Sequence, residues 1–143
     1  MTDSGPVLNL LTLVVKDMEA SVAFYRRLGV TVPDADPAWP DIHRGGSSGG
    51  MGVDFDTDSF APKWNAGHKA STTAVIGIQL PTREAVDAAY SELTSAGHAG
   101  QQEPYDAFWG ARYAVVEDPD GNAVGLMSPI DPDRRSAPPD MNS

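Results

Sequence analysis

Residues 117–127, EDPDGNAVGLM, read as a tight turn feeding a strand with a glycine in its middle. In DPDGN the proline in second place and the glycine in fourth fit a type I turn closed by a residue at positive φ. Gly125 then sits inside the outgoing strand, where glycine adds backbone entropy and packs no side chain. Such a residue marks a position facing something that needs room.

Working outward, strands are expected at 111–117 and 123–127 on either side of the turn, preceded by the irregular HAGQQEPYDAFWG. Upstream, Thr82 caps a helix with Glu84 in its first turn and a buried stripe of Val86, Ala89, Tyr90 and Leu93, ending at Gly97. A strand at 72–80 leads into it. The first half has the same order: a strand at 7–15, Asp17 as cap, then a helix carrying Met18, Val22 and Tyr25 that stops at Gly29. A short strand at 30–32, a Pro-rich bend, a Gly/Ser tip RGGSSGG and a strand at 51–55 follow.

The halves repeat. A shift of 65 residues lays Asp17 on Thr82, Ala20 on Ala85, Tyr25 on Tyr90 and Leu28 on Leu93, and strand on strand. Module one is placed at about 7–56, a linker at 57–71, module two at about 72–129, and a loose tail with few apolar groups at 130–143.

A chain of 143 residues that is 41% hydrophobic fits one domain with a core, which sets disordered and fibrous classes aside. Twenty acidic against 10 basic residues give a charge of −10, which repels phosphate backbones and anionic lipid, so neither nucleic acid nor membrane is an expected partner. The same charge favours cationic ligands mildly, or serves solubility alone. The absence of cysteine removes disulfide and thiolate chemistry and suits a reducing cytosol, so a cytoplasmic protein is expected. VLNLLTLVV reads as a buried strand and not a secretion signal, because no basic residue precedes it and Lys16-Asp17 ends it.

The doubled pattern, with LTLVVKDMEASVAFYRRLG in one half and FWGARYAVVEDPDGNAVGLMSP in the other, resembles the vicinal oxygen chelate superfamily of glyoxalase I, extradiol dioxygenases and bleomycin-resistance proteins. The resemblance implies an α+β fold of two β-α-β-β-β modules curled into an open cup, a homodimer, and a ligand inside the cup. It also implies metal-ligand positions on the first and last strand of each module. In this sequence those places fall on Leu10, Val75 and Gly125, with Asp54 the one plausible donor at the fourth. Leucine, valine and glycine offer no lone pair, whereas a catalytic ion needs about three protein donors, so no metal and no other cofactor is expected.

The histidines are His43, His68 and His98, none paired on a helix face for metal binding; His43, on or beside a strand, is the one to consider as a cup-facing polar contact or base. GGSSG satisfies G-x-S-x-G but lacks the strand-turn-helix context of a nucleophile elbow. Trp39, Trp64, Phe108 and Trp109 lie in irregular stretches, where loops carry binding groups. Trp64 has two readings, a ligand contact or a plug for the open end of the sheet; Phe108 and Trp109 read as ligand contacts.

The expected function is metal-free binding of an amphipathic or aromatic small molecule, neutral or cationic, with Leu10, His43, Phe55, Trp64, Val75, Phe108, Trp109 and Gly125 lining the cup. One alternative is a metal-dependent lyase, isomerase or dioxygenase of the superfamily with a displaced site, or an enzyme using His43, Asp54 or Tyr113 as acid or base. Another is an interaction module whose cup is filled by its own side chains.

Overall fold

The computed structural model describes residues 5–141. Strand β1 (Val7–Val15) runs into helix α1 (Met18–Arg27); β2 (His43–Ser48) and β3 (Met51–Thr57) form a hairpin; a short helix α2 (Ala61–Trp64) follows. Then come β4 (Ala74–Gln79), helix α3 (Arg83–Ser95), and β5 (Gly100–Asp106), β6 (Arg112–Glu117) and β7 (Ala123–Met127). Among the described residues the seven strands make one mixed sheet in the order β2-β3-β1-β4-β7-β6-β5. The α+β class with a curled open sheet is as the resemblance implied.

Both helix starts follow from their caps. Asp17 Oδ1 accepts from the Ala20 amide and Thr82 Oγ1 from the Ala85 amide, each at 3.0 Å, satisfying one orphan donor of the first turn. Met18 and Val22 of α1 bury against Val15, Val32 and Phe55, while Val86 of α3 buries against Leu80, Val116 and Leu126. Each such side chain stabilises the fold by about 1.5–3 kcal/mol. Both helices therefore cover one face of the sheet, and the opposite face is left to form the cup.

The repeat is visible in the register. Leu11 pairs with Ile76 across the antiparallel β1–β4 contact, and 11 + 65 = 76, so the two modules meet about equivalent residues. β3 lies parallel to β1 with Val53 opposite Leu11, and β7 lies parallel to β4 with Val124 opposite Ile76. The last strands are thus offset by 124 − 53 = 71, which makes Asp54 the repeat equivalent of Gly125.

Several expectations are corrected. Residues 30–32 contribute only a bridge from Thr31 to Ser47. The Gly/Ser stretch is mostly strand: β2 extends through Ser48, and only Gly49 (φ 55°) and Gly50 (φ 84°) turn the chain, as a two-residue hairpin loop requires. The segment expected as a linker contains α2 and buries Phe60, Ala61, Trp64 and Asn65. HAGQQEPYDAFWG supplies edge strand β5, whose alternation is interrupted by irregular pairing with β6. The DPDGN turn is as read, with Gly121 at φ 87°. After β7 the chain does not trail away: the Asp131 amide bonds to the Gly110 carbonyl (3.0 Å) and the Ser136 amide to the Phe108 carbonyl (2.9 Å), drawing it over the cup as a strap.

Candidate functional site

The concave face of the sheet, α2, the 107–110 loop and the strap border an open cavity of about 1040 Å³. That is at the upper end of small-molecule sites. One wall is aromatic. Phe60 meets Phe108 at 6.2 Å between ring centroids, Phe108 meets Trp109 at 5.3 Å, and Trp109 meets Tyr113 at 5.2 Å, the last two edge-on. Trp64 and Tyr105 also stand edge-on to Tyr113, at 6.0 and 6.3 Å. The Tyr105 hydroxyl donates to the Trp64 carbonyl (3.0 Å) and the Trp109 indole to Met127 Sδ (3.2 Å), so the wall is held in place by its own polar ends.

Another part of the lining is acidic. Strand alternation sends Asp54 and Asp56 to the cup and Phe55 between them to the helix face. His43, the first residue of β2, pairs with Asp56 in register and donates from Nδ1 to its carboxylate. The next residue, Arg44, points the other way and is 5% exposed, binding both oxygens of Asp41 at 2.7 Å and the Pro33 carbonyl at 3.1 Å. That bidentate contact fixes the loop that brings Trp39, Asp41 and Ile42 to the rim.

Burial pushes the Asp54 carboxyl up to about 6, with the Asp56 charge adding to the rise and His43 opposing it. Burial pulls the His43 imidazole toward its neutral form, but the bond to Asp56 and the charges of Asp56 and Asp54 outweigh it and raise its pKa. Burial likewise raises Tyr113, keeping its phenol protonated.

The structure explains Gly125. A Cβ there would lie 2.7 Å from the Tyr113 hydroxyl and 3.1 Å from its ring, so the phenol occupies the space the glycine leaves. Leu10 does the same over two other glycines, with its side chain 2.9 Å from the Cβ position of Gly52 and 2.8 Å from that of Gly77. Beneath Leu10 and Tyr113 remains a pocket of about 20 Å³, lined by Val75, Gly77 and Gly125. With the register assigning the fourth position to Asp54, the places where the resemblance implies metal ligands hold leucine, aspartate, valine and glycine. One donor does not fit a divalent ion. No group of three or more His, Cys, Asp or Glu side chains among the described residues is arranged to hold one elsewhere.

Of the residues expected to line the cup, Leu10, His43, Trp64, Phe108 and Trp109 border the cavity. Phe55 does not: it is fully buried against α1, because the two-residue strand period carries it to the other face. Val75 and Gly125 lie one layer deeper, covered by Leu10 and Tyr113. Trp64 is 4% exposed and serves as wall more than as an open contact. His98 is half-buried just past the end of α3, and His68 lies away from the cup with its Nδ1 buried and without a partner among the described residues. Asp56, Ile42 and the strap were missed as lining. The alternation Asp54-Phe55-Asp56 was the available signal for the first.

No helix among the described residues is long and apolar enough to cross a membrane. Comparison with known proteins adds the following. No curated protein matches the chain. Solved structures that share the fold include an NAD-dependent benzaldehyde dehydrogenase from Legionella pneumophila (17% identity, 84% of this chain and 97% of that one, TM-score 0.60). A glyoxalase/bleomycin resistance protein/dioxygenase superfamily member from Vibrio splendidus 12B01 matches at 15% identity over 86% of this chain and 100% of that one, TM-score 0.59. An Mn(II)-bound glyoxalase from Novosphingobium aromaticivorans matches at 19% identity over 87% of this chain, TM-score 0.56, and this chain spans only 38% of its length. At such identities these likenesses speak to the fold. The family model described as glyoxalase/bleomycin resistance protein/dioxygenase superfamily matches residues 7–126. Doubled modules, register and model agree, and the chain belongs to that superfamily.

Proposed function

We propose that the protein binds a small amphipathic aromatic molecule carrying a positive charge, without a metal ion, in the cup between the sheet and the strap. The observation that supports this most is that one cavity of about 1040 Å³ is lined both by a run of aromatic rings and by Asp54 and Asp56. Flat rings offer stacking area at low entropic cost and hold cations on their faces for about 0.5–2 kcal/mol each. Carboxylates in a partly desolvated wall add charge selectivity.

Filling of the ligand positions by Leu10, Val75 and Gly125 supports the metal-free part of this reading. A cavity of this size also weighs against the interaction-module alternative, in which side chains would fill the cup. The test is titration of the intact protein with aromatic quaternary ammonium compounds while following tryptophan emission. Saturable change at micromolar concentrations, stronger for cations than for matched neutral or anionic compounds, is the expected result. No change across a varied panel contradicts the reading.

A further inference from the structure

The binding of a simple cation leaves one lining residue of the cup unused. Arg26, Arg44, Arg83, Arg112 and Arg134 each pair with an aspartate. Arg135 borders the cavity, and its guanidinium makes no ion pair or hydrogen bond among the described residues. Its place is set by the backbone. The Asp131 amide bonds to the Gly110 carbonyl and the Ser136 amide to the Phe108 carbonyl, so the strap is tied down on both sides of residue 135. The Arg135 stem lies against Gly110, with Cγ 3.3 Å from where a Cβ of that glycine would be. The topology separates this cation from the carboxylates. Asp54 and Asp56 are on β3, second from one edge of the sheet, whereas the 107–110 loop joins β5 and β6 at the other edge. Four strand spacings lie between β3 and β6, about 19 Å measured along the sheet and less across a curled one.

We propose that Arg135 determines specificity by taking a carboxylate of the ligand, so that the cup selects an aromatic zwitterion and not a simple cation. The proposal rests on the binding reading and adds the ligand's anionic end. The ammonium group lies toward the β3 carboxylates, the ring against Phe108 and Trp109, and the carboxylate on the strap. A guanidinium suits that role because its parallel N–H groups meet both oxygens of a carboxylate at once. A carboxylate fits better than a phosphate, whose second charge would add to the repulsion from a chain of net charge −10 with Asp36, Asp41, Asp54 and Asp56 in the same lining. Gly110 has its own part in this, since the absence of a side chain there leaves room for the Arg135 stem.

The probes are three biphenyls with a trimethylammoniomethyl group at one end and a carboxylate, a carboxamide or a phosphonate at the other, titrated calorimetrically into the full chain. The carboxylate is expected to bind about 5- to 20-fold more tightly than the carboxamide, as one charge-assisted bidentate contact allows, and more tightly than the phosphonate. Arg135→Gln should abolish the preference for carboxylate over carboxamide and leave the carboxamide constant unchanged. Arg135→Lys should keep part of the preference, through a point charge without the fork. Arg27→Gln removes the same charge from the last turn of α1 and should keep all of it. Raising the salt concentration should shrink the preference in the wild type and have no effect on it in Arg135→Gln.

A carboxamide that binds as tightly as the carboxylate overturns the zwitterion proposal and leaves the binding reading standing. A preference that survives Arg135→Gln, or that falls equally in Arg27→Gln, overturns the assignment to Arg135. A phosphonate tighter than the carboxylate overturns the choice of anion. Failure of all three probes to bind overturns the proposal together with the binding reading.

Discussion

The Tyr113 hydroxyl lies 2.7 Å from where a Cβ of residue 125 would be, so Gly125 and Tyr113 share a single volume in the floor of the cup. Gly125→Ala should destabilise the fold by about 1–3 kcal/mol, the usual cost of overpacking a filled site. The buried ring has nowhere to go, being edge-on to Trp64, Tyr105 and Trp109. In the background of Tyr113→Leu the same change should cost far less, and a double-mutant cycle by urea unfolding measures the coupling.

Trp109 connects Phe108 to Tyr113 in the aromatic wall. Trp109→Ala should weaken binding of an aromatic cation by about 5- to 30-fold, roughly 1–2 kcal/mol, as loss of one stacking and cation-holding face. Calorimetric titration checks it. An Arg27→Ala variant, far from the wall on the last turn of α1, should bind as wild type.

Asp54 has its pKa raised from 3.8 to about 6, so its contribution to stability is fully present below 3.8 and is lost as pH climbs through about 6. Asp54→Asn should therefore raise the melting temperature at pH 8 and leave it nearly unchanged at pH 4. Discounted for the solvent that reaches the cavity, the gain is on the order of 1–2 kcal/mol, or roughly 3–6 °C. Binding has the opposite slope in the wild type: affinity for a cation should increase from pH 5 to pH 8 as Asp54 ionises. The variant should flatten that increase.

The strap depends on Gly110, which has φ 100° and whose Cβ position is 2.4 Å from the Asp131 carbonyl oxygen. Gly110→Ala should release the strap, and removal of residues 130–143 should remove the roof of the cavity outright. Both changes should speed ligand dissociation, measured by stopped-flow fluorescence, and shift Trp109 emission to the red, with far-ultraviolet circular dichroism unchanged.

The fold was legible because its signals are local. Asp17 and Thr82 announce both helices by cap chemistry, Gly121 closes its turn, and the 65-residue shift exposes the duplication. What the sequence hid depends on tertiary packing. Trp64 sits among turn formers, and only its burial beneath Tyr105 and Tyr113 turns an apparent linker into a wall. The strap is polar and proline-rich, and two backbone hydrogen bonds that no side-chain pattern encodes hold it down. Gly125 marked a place needing room, yet its occupant, a tyrosine from the neighbouring strand, emerges from the pairing of β6 with β7. His43 was legible as a residue worth considering, whereas its partner Asp56 follows from register.

The central claim is that aromatic rings and carboxylates, not an ion, hold the ligand. Its most direct measurement is the dissociation constant of an aromatic quaternary ammonium compound for protein purified without chelator, determined before and after dialysis against EDTA, with divalent ions quantified on the same samples. The account expects equal constants and well below one ion per chain. A constant that weakens more than tenfold on chelation and recovers with one equivalent of a divalent metal would contradict it.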